Sequence, residues 1–374
     1  MQIMRKATFE AVVIIFCLCC SVPGIFRVAG VYATVENKYH LTMEGELETA
    51  FEGEIEGYWR TYGKEGVFVG ADGIEIQYMT FVRPDERGAL VIVNGRTESY
   101  IKYKELIYDL GKQEFSLYTY DHRGQGFSGR MTENPQKGHV WNFDDYVDDL
   151  KTFYDTVVNA KRHDKLFLLA HSMGGAVASL YIEAYKDDFD AVILSSPLHE
   201  PSAGILSSRL TCAKVKATSR ARDFFIWLFG WEPRYVVSTG DYTDLPFDRN
   251  RLTHSEVRYN LFRKEYERHP RVKTGGPTTH WVSSACEAAR QARQNAAQIT
   301  IPVLVLQAGE DTAVTPKGQV EFCKNLKAGG KNYCEGEAPV IIRGAYHELF
   351  MEKDEYRIPA LTKILDFINA QYIE

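Results

Sequence analysis

The residues of this chain best suited to do chemistry together are Ser172, Asp311 and His347, each placed just after a short apolar run. A serine hydroxyl is a weak nucleophile until a base takes its proton. An imidazole serves as that base near neutral pH, and a carboxylate fixes its tautomer and offsets the positive charge it acquires. The reaction such a trio supports is acyl transfer, in which the serine attacks a carbonyl, forms a covalent intermediate and releases the acyl group to water. Serine comes first, acid second and histidine last, an order distinct from those of the serine-protease lineages. The chain has ten histidines, so one alone proves nothing, and His347 is the one that follows the last strand near the C-terminus. Glu310 adjoins Asp311 and competes for the role of acid.

Three residues far apart in the chain need elements to bring them together. From Lys165 to Gly175 an apolar run of strand length meets Ala170, a polar pair centred on Ser172, and two glycines that open a helical pattern. This is the layout of a nucleophile elbow. The strained backbone at the nucleophile demands small residues two before and two after it. Ala170 and Gly174 meet that demand, with alanine where glycine is usual. Ala89–Val93 is a second apolar strand, ending in Asn94-Gly95-Arg96, where backbone N–H groups can face the strand tip. Together with the residue after the nucleophile, this turn predicts an oxyanion hole made by the N–H groups of Arg96 and Met173.

Further strands are expected at Gly73–Phe81, Phe115–Tyr120, Ala191–Leu194, Pro302–Asp311, whose carboxyl end delivers an acid, and Val340–Ile342, alternating with helical stretches that include Tyr100–Leu110, Trp281–Ala297 and Ile358–Ile368. That alternation predicts an α/β fold with a doubly wound, mostly parallel sheet, whose ligands bind beyond the carboxyl ends of the strands. The glycine-rich loop Asp121–Gly129 is expected to pack under the elbow without a catalytic role. Asp144, Asp145, Asp148 and Asp149 read as a solvated helix face, and the acidic stretch Asn37–Glu56 as a solvated segment.

Between Glu200 and Lys273 strand signals nearly vanish. Fourteen Lys or Arg face nine Asp or Glu there, although the whole 374-residue chain carries a net charge of −6. A basic, mainly helical insertion of this kind reads as a cap over the site. Its aromatic stretch Arg222–Trp231 is either a lid for an acyl chain, with Trp227 and Phe229 as substrate-binding residues, or the core of the cap itself. The overall acidity argues against a nucleic-acid partner.

The first 33 residues differ in kind. Arg5 and Lys6 precede an uncharged apolar run, Ala11–Val22, which is shorter than a bilayer span. A secretory signal peptide is expected, with an uncleaved membrane anchor as the alternative, so the protein is expected to be exported, periplasmic or held at a membrane. The resulting organisation is residues 1–33 leader or anchor, 34–199 first part of the core, 200–284 cap, and 285–374 second part of the core. Four of the seven cysteines lie outside the leader and lack metal-ligand spacing. Cys323 and Cys334 read equally as a short-loop disulfide or as buried thiols.

With these residues in hand, the chain resembles the bacterial lysophospholipase branch of the serine α/β-hydrolases, related to monoacylglycerol lipases. The likeness rests on Gly95–Tyr103, Asp121–Arg130, Gly138–Leu150, the elbow, and Leu252–Ser255 and Gly275–Trp281 in the cap. Related lipases carry His-Gly where this chain has Asn94-Gly95. The resemblance implies an α/β-hydrolase fold and a lysophospholipid or monoacylglycerol substrate, and the expected N-terminal leader would place this version across or on the membrane. It implies cleavage of the acyl ester, with acyl transfer to another lipid as an additional outcome, and neither a metal nor an organic cofactor.

Overall fold

The computed structural model describes residues 36–159, 163–202 and 208–373, apart from the side chains of Phe225 and Trp227. Residues 1–33, expected to be a leader or anchor, lie outside the described residues. Among those described, no helix is long and apolar enough to cross a membrane.

Eight strands form one sheet in the order β1-β2-β4-β3-β5-β6-β7-β8. They are β1 (Gly63–Val69), β2 (Glu75–Phe81), β3 (Gly88–Val93), β4 (Phe115–Tyr120), β5 (Leu166–His171), β6 (Ala191–Ser195), β7 (Val303–Ala308) and β8 (Val340–Ile342). β1 and β2 pair antiparallel at one edge, β2 is antiparallel to β4, and every other pairing is parallel. The strands from β3 to β7 are buried at every residue, as parallel strands covered on both faces must be. Alternate residues feed two cores. Val91, Val93, Leu168, Ala170, Val192 and Val305 point to one face, and Leu90, Ile92, Phe167, Leu169, Ile193 and Leu304 to the other.

The first core is covered by α4 (Asp144–Phe153), α5 (Met173–Ala184), α8 (Thr279–Asn295) and α9 (Pro316–Ala328), the second by α3 (Lys104–Gly111) and α10 (Asp354–Ala370). This is the doubly wound layout expected, and it is an α/β-hydrolase fold. Strand β1 escapes sequence reading because Val67 and Val69 are exposed and Phe68 alone turns inward, so the edge strand carries almost no hydrophobic signal.

Two expectations are corrected. The acidic stretch is not merely solvated: α1 (Glu44–Ala50), a π-helical turn (Phe51–Ile55) and α2 (Glu56–Tyr62) make a continuous helical run. Leu47, Phe51 and Ile55, spaced one turn apart, are buried against Leu261, while Glu46, Glu48, Glu52 and Glu54 keep to solvent. Nor is the aspartate face of α4 all solvated. Arg123, from the glycine-rich loop, donates from Nε and Nη2 to both oxygens of the fully buried Asp149, each at 2.6 Å, and from Nη1 to Asp145 at 3.0 Å. Those aspartates receive a buried arginine, which explains a carboxylate on the inner face of the helix.

The region of residues 200–284 supplies α6 (Ser208–Phe229), α7 (Glu256–Arg268) and the start of α8, joined by largely irregular backbone. It packs into the same compact unit as the sheet. A disulfide joins Cys212 of α6 to Cys286 of α8, and another joins Cys323 to Cys334. The second is the short-loop bridge, one of the two expected alternatives. The first spans 74 residues, a separation at which spacing offers no signal.

Candidate active site

Ser172 sits between β5 and α5 with φ 53° and ψ −116°, a left-handed backbone that is costly for a non-glycine residue. Hydrogen bonds from both sides hold it. Its N–H donates to Ser195 O at 3.0 Å, and its carbonyl accepts from Gly175 N–H at 2.9 Å and Leu198 N–H at 2.8 Å. The tight turn explains the small residues around it: a Cβ on Gly174 would stand 2.4 Å from Val93 O and 2.5 Å from Asn94 O. The helix therefore lies directly on the end of β3, and the hydroxyl is lifted to the carboxyl end of the sheet.

The structure brings the three sequence-selected residues together. His347 Nε2 stands 2.8 Å from Ser172 Oγ, and His347 Nδ1 donates to Asp311 Oδ2 at 2.7 Å. With Nδ1 protonated by that pairing, Nε2 of the neutral ring is left as the acceptor for the serine proton. The other Asp311 oxygen accepts the N–H groups of Ala313 at 2.8 Å and Val314 at 3.0 Å. Burial would raise the Asp311 carboxyl, but the hydrogen bond and charge of His347 and the two N–H donors outweigh it and hold it below its ordinary value. Glu310 is exposed, and the acid beside the imidazole is Asp311.

Met173 is the first residue of α5, so its N–H is one of those a helix leaves without an internal partner. Across from it, the turn Asn94-Gly95-Arg96 presses on the serine: a Cβ on Gly95 would lie 3.2 Å from Ser172 Cβ. The loop Asp121–Gly129 braces this turn from below. His122 Nε2 donates to Asn94 O at 3.1 Å, and Gln125 Nε2 to Gly95 O at 2.7 Å and Glu98 O at 2.9 Å. Asp121 gathers Ser99 Oγ and the N–H groups of Tyr100 and Phe127 at 2.7–2.8 Å.

Sequence reading missed a buried charge network beside this turn. Glu98 accepts the Gly95 N–H at 2.5 Å, the Tyr103 hydroxyl at 2.5 Å and Lys102 Nζ at 2.7 Å, and Lys102 also reaches Glu348 at 2.7 Å. Burial opposes the Glu98 charge, yet Lys102 and its other donors pull the carboxyl down to about 2, whereas burial and Glu98 itself raise Glu348. His171, adjoining the nucleophile, is pushed down to about 4 by burial and is neutral at working pH. The signals available were the four-residue spacing of Glu98 and Lys102 and the position of Glu348 next to His347. Both patterns are common on exposed helices, so neither announces burial.

A cavity of about 940 Å³ opens over Ser172 and His347. Its roof comes from the cap segments Ser238–Thr243, Arg249–Leu252 and Thr274–Gly276 and from Tyr259, Phe262 and Tyr266 of or beside α7. The expectation for Phe229 is corrected: it does not line this cavity, and its half-exposed ring stacks on Trp231 at 5.2 Å. The aromatic end of α6 runs to the outside of the cap, so the ring surface over the site is furnished by α7. The Trp227 side chain lies outside the described residues. Among those described, no group of His, Cys, Asp or Glu is arranged to hold a metal ion.

Fold and site together define a serine α/β-hydrolase. The family model of serine aminopeptidase S33, Hydrolase_4, matches residues 84–354, and the chain belongs to that family. It is 38% identical over 333 residues to lysophospholipase L2 of Escherichia coli K12, covering 88% of this chain and 94% of that protein. It is 23% identical to a monoacylglycerol lipase of Mycolicibacterium smegmatis, covering 78% of this chain and 92% of that one. Among solved structures, a soluble variant of monoglyceride lipase from Saccharomyces cerevisiae superposes with a TM-score of 0.62 at 18% identity, over 83% of this chain and 95% of that chain, a likeness of fold.

Proposed function

We propose that this chain is a lysophospholipase that cleaves the remaining acyl ester of lysophospholipids through a Ser172 acyl intermediate. His347 takes the proton from Ser172 Oγ as the oxygen attacks the ester carbonyl. Asp311 holds the ring and stabilises its positive charge. The N–H groups of Met173 and Arg96 receive the developing oxyanion, each such donor contributing on the order of 10²- to 10³-fold in rate. His347 returns the proton to the leaving glycerol oxygen, and water releases the fatty acid by the same route. The observation that carries this reading is the hydrogen-bonded line Asp311, His347, Ser172 at 2.7 and 2.8 Å.

The head-group class is supported by the lysophospholipase with which the chain shares 38% identity over nearly its full length. The membrane as working surface is supported by the outer end of α6, where Phe224, Leu228, Phe229 and Trp231 are each about half exposed close to Arg220 and Arg234 in sequence. Export or membrane attachment through residues 1–33 is supported by the two disulfides, which persist in oxidising compartments. Fatty acid released from lysophospholipids, monoacylglycerols and short esters of matched concentration tests the proposal. The expected order places lysophospholipids first with no turnover by Ser172→Ala. Short, uncharged esters outperforming lysolipids would overturn it.

A further inference from the structure

Among the described residues no carboxylate forms an ion pair with the guanidinium of Arg96, a residue of the turn beside the nucleophile. Its Nη1 donates to Gly275 O at 3.3 Å, and its carbon lies 5.5 Å from the centre of the Trp281 ring. Neither neighbour carries negative charge. Burial pushes the guanidinium down to about 10. The other cations lining the cavity are differently placed. Lys102 is held between Glu98 and Glu348, and Arg263 pairs with Asp244, while Arg249 and Arg251 stand exposed at the wall and enter none of the described ion pairs. Arg96 is therefore a largely buried fork of five N–H donors with one acceptor among the described residues, on a residue that lines the same cavity as Ser172. Desolvating a charge without pairing it is costly, and a guanidinium matches the geometry of phosphate oxygens.

We propose that the Arg96 side chain binds the phosphodiester of the substrate head group, with Arg249 and Arg251 attracting that anion at the cavity wall. The inference rests on the lysophospholipase reading and names the group that selects phosphorylated lipids over neutral ones. Covalent reach agrees with it. In a 1-acyl lysophospholipid the phosphorus lies as many bonds from the ester carbonyl carbon as the guanidinium carbon lies from the arginine's own nitrogen. With the backbone N–H of Arg96 on the oxyanion, its side chain can extend alongside the glycerol to the phosphate. One residue would then bind both ends of the reacting unit. A monoacylglycerol has no anion to offer it.

The test compares kcat/KM for 1-acyl lysophosphatidylcholine and the 1-monoacylglycerol of the same chain length in wild type, Arg96→Met and Arg96→Lys. The ratio of the two values is expected to fall at least tenfold in Arg96→Met and to be largely restored in Arg96→Lys. Glycerophosphocholine is expected to inhibit monoacylglycerol hydrolysis competitively in the wild type and at least tenfold less well in Arg96→Met. An unchanged ratio together with unchanged inhibition would overturn the inference and leave the lysophospholipase reading standing. A wild type that prefers the monoacylglycerol would instead overturn that reading, independently of the variants. Should Arg96→Met fold poorly, the same inhibition measured in Arg96→Gln decides: at least a tenfold weakening is expected, and unchanged inhibition would overturn the inference.

Discussion

Asp311 and Glu310 differ by one position, yet their surroundings differ in kind. Asp311 faces the imidazole and accepts two backbone N–H groups, whereas Glu310 points to solvent. Asp311→Asn is expected to lower kcat by roughly 10³- to 10⁴-fold by losing the correct imidazole tautomer, while Glu310→Gln stays near wild type. The reverse ranking in a fatty-acid release assay would move the acid. The pH dependence has a definite sign. The native Asp311 carboxyl is held below its ordinary 3.8, so its contribution to stability is complete above the unfolded value and is lost as pH falls through the native one. The trio was legible in sequence because each member follows a short apolar run. Glu98, Lys102 and Glu348 were not, because burial of a charged residue depends on partners that tertiary structure supplies.

Strands and helices differ in how openly the sequence declares them. The largely apolar central strands are plain, since burial on both faces leaves few polar positions. Edge strand β1, with one inward side chain, and the helices after Met43, whose apolar stripe is outnumbered by glutamates, are not. The loop after β4 was recognised as support for the site, but its fastening was hidden in aspartates that look solvated. Arg123 pins that loop to α4 through Asp149 and Asp145. Arg123→Met leaves two buried carboxylates without their cation and is expected to destabilise the fold by about 3–5 kcal/mol in chemical denaturation. A change below about 1 kcal/mol would show that the pair is not a fastening.

The whole molecule joins a cap of basic composition to an acidic body by links of different kinds. Arg258 of α7 is buried and reaches Glu105 of α3, Asp354 of α10 and the carbonyl of Glu352, so the helix over the cavity is anchored to the body. Helix α6 is instead tied to α8 by the Cys212–Cys286 bridge, and its aromatic end faces outward. The basic charge and the loss of strand signals between Glu200 and Lys273 were legible in sequence. Which face of this region covers the site was not, because an aromatic cluster reads alike inside and outside. All of this serves one hydroxyl, and its reactivity can be measured directly. A fluorophosphonate probe, followed by peptide mapping, is expected to modify Ser172 stoichiometrically in the wild type and to leave Ser172→Ala unlabelled and inactive. Stoichiometric labelling of another residue, or fatty acid release that persists in Ser172→Ala, would contradict the account.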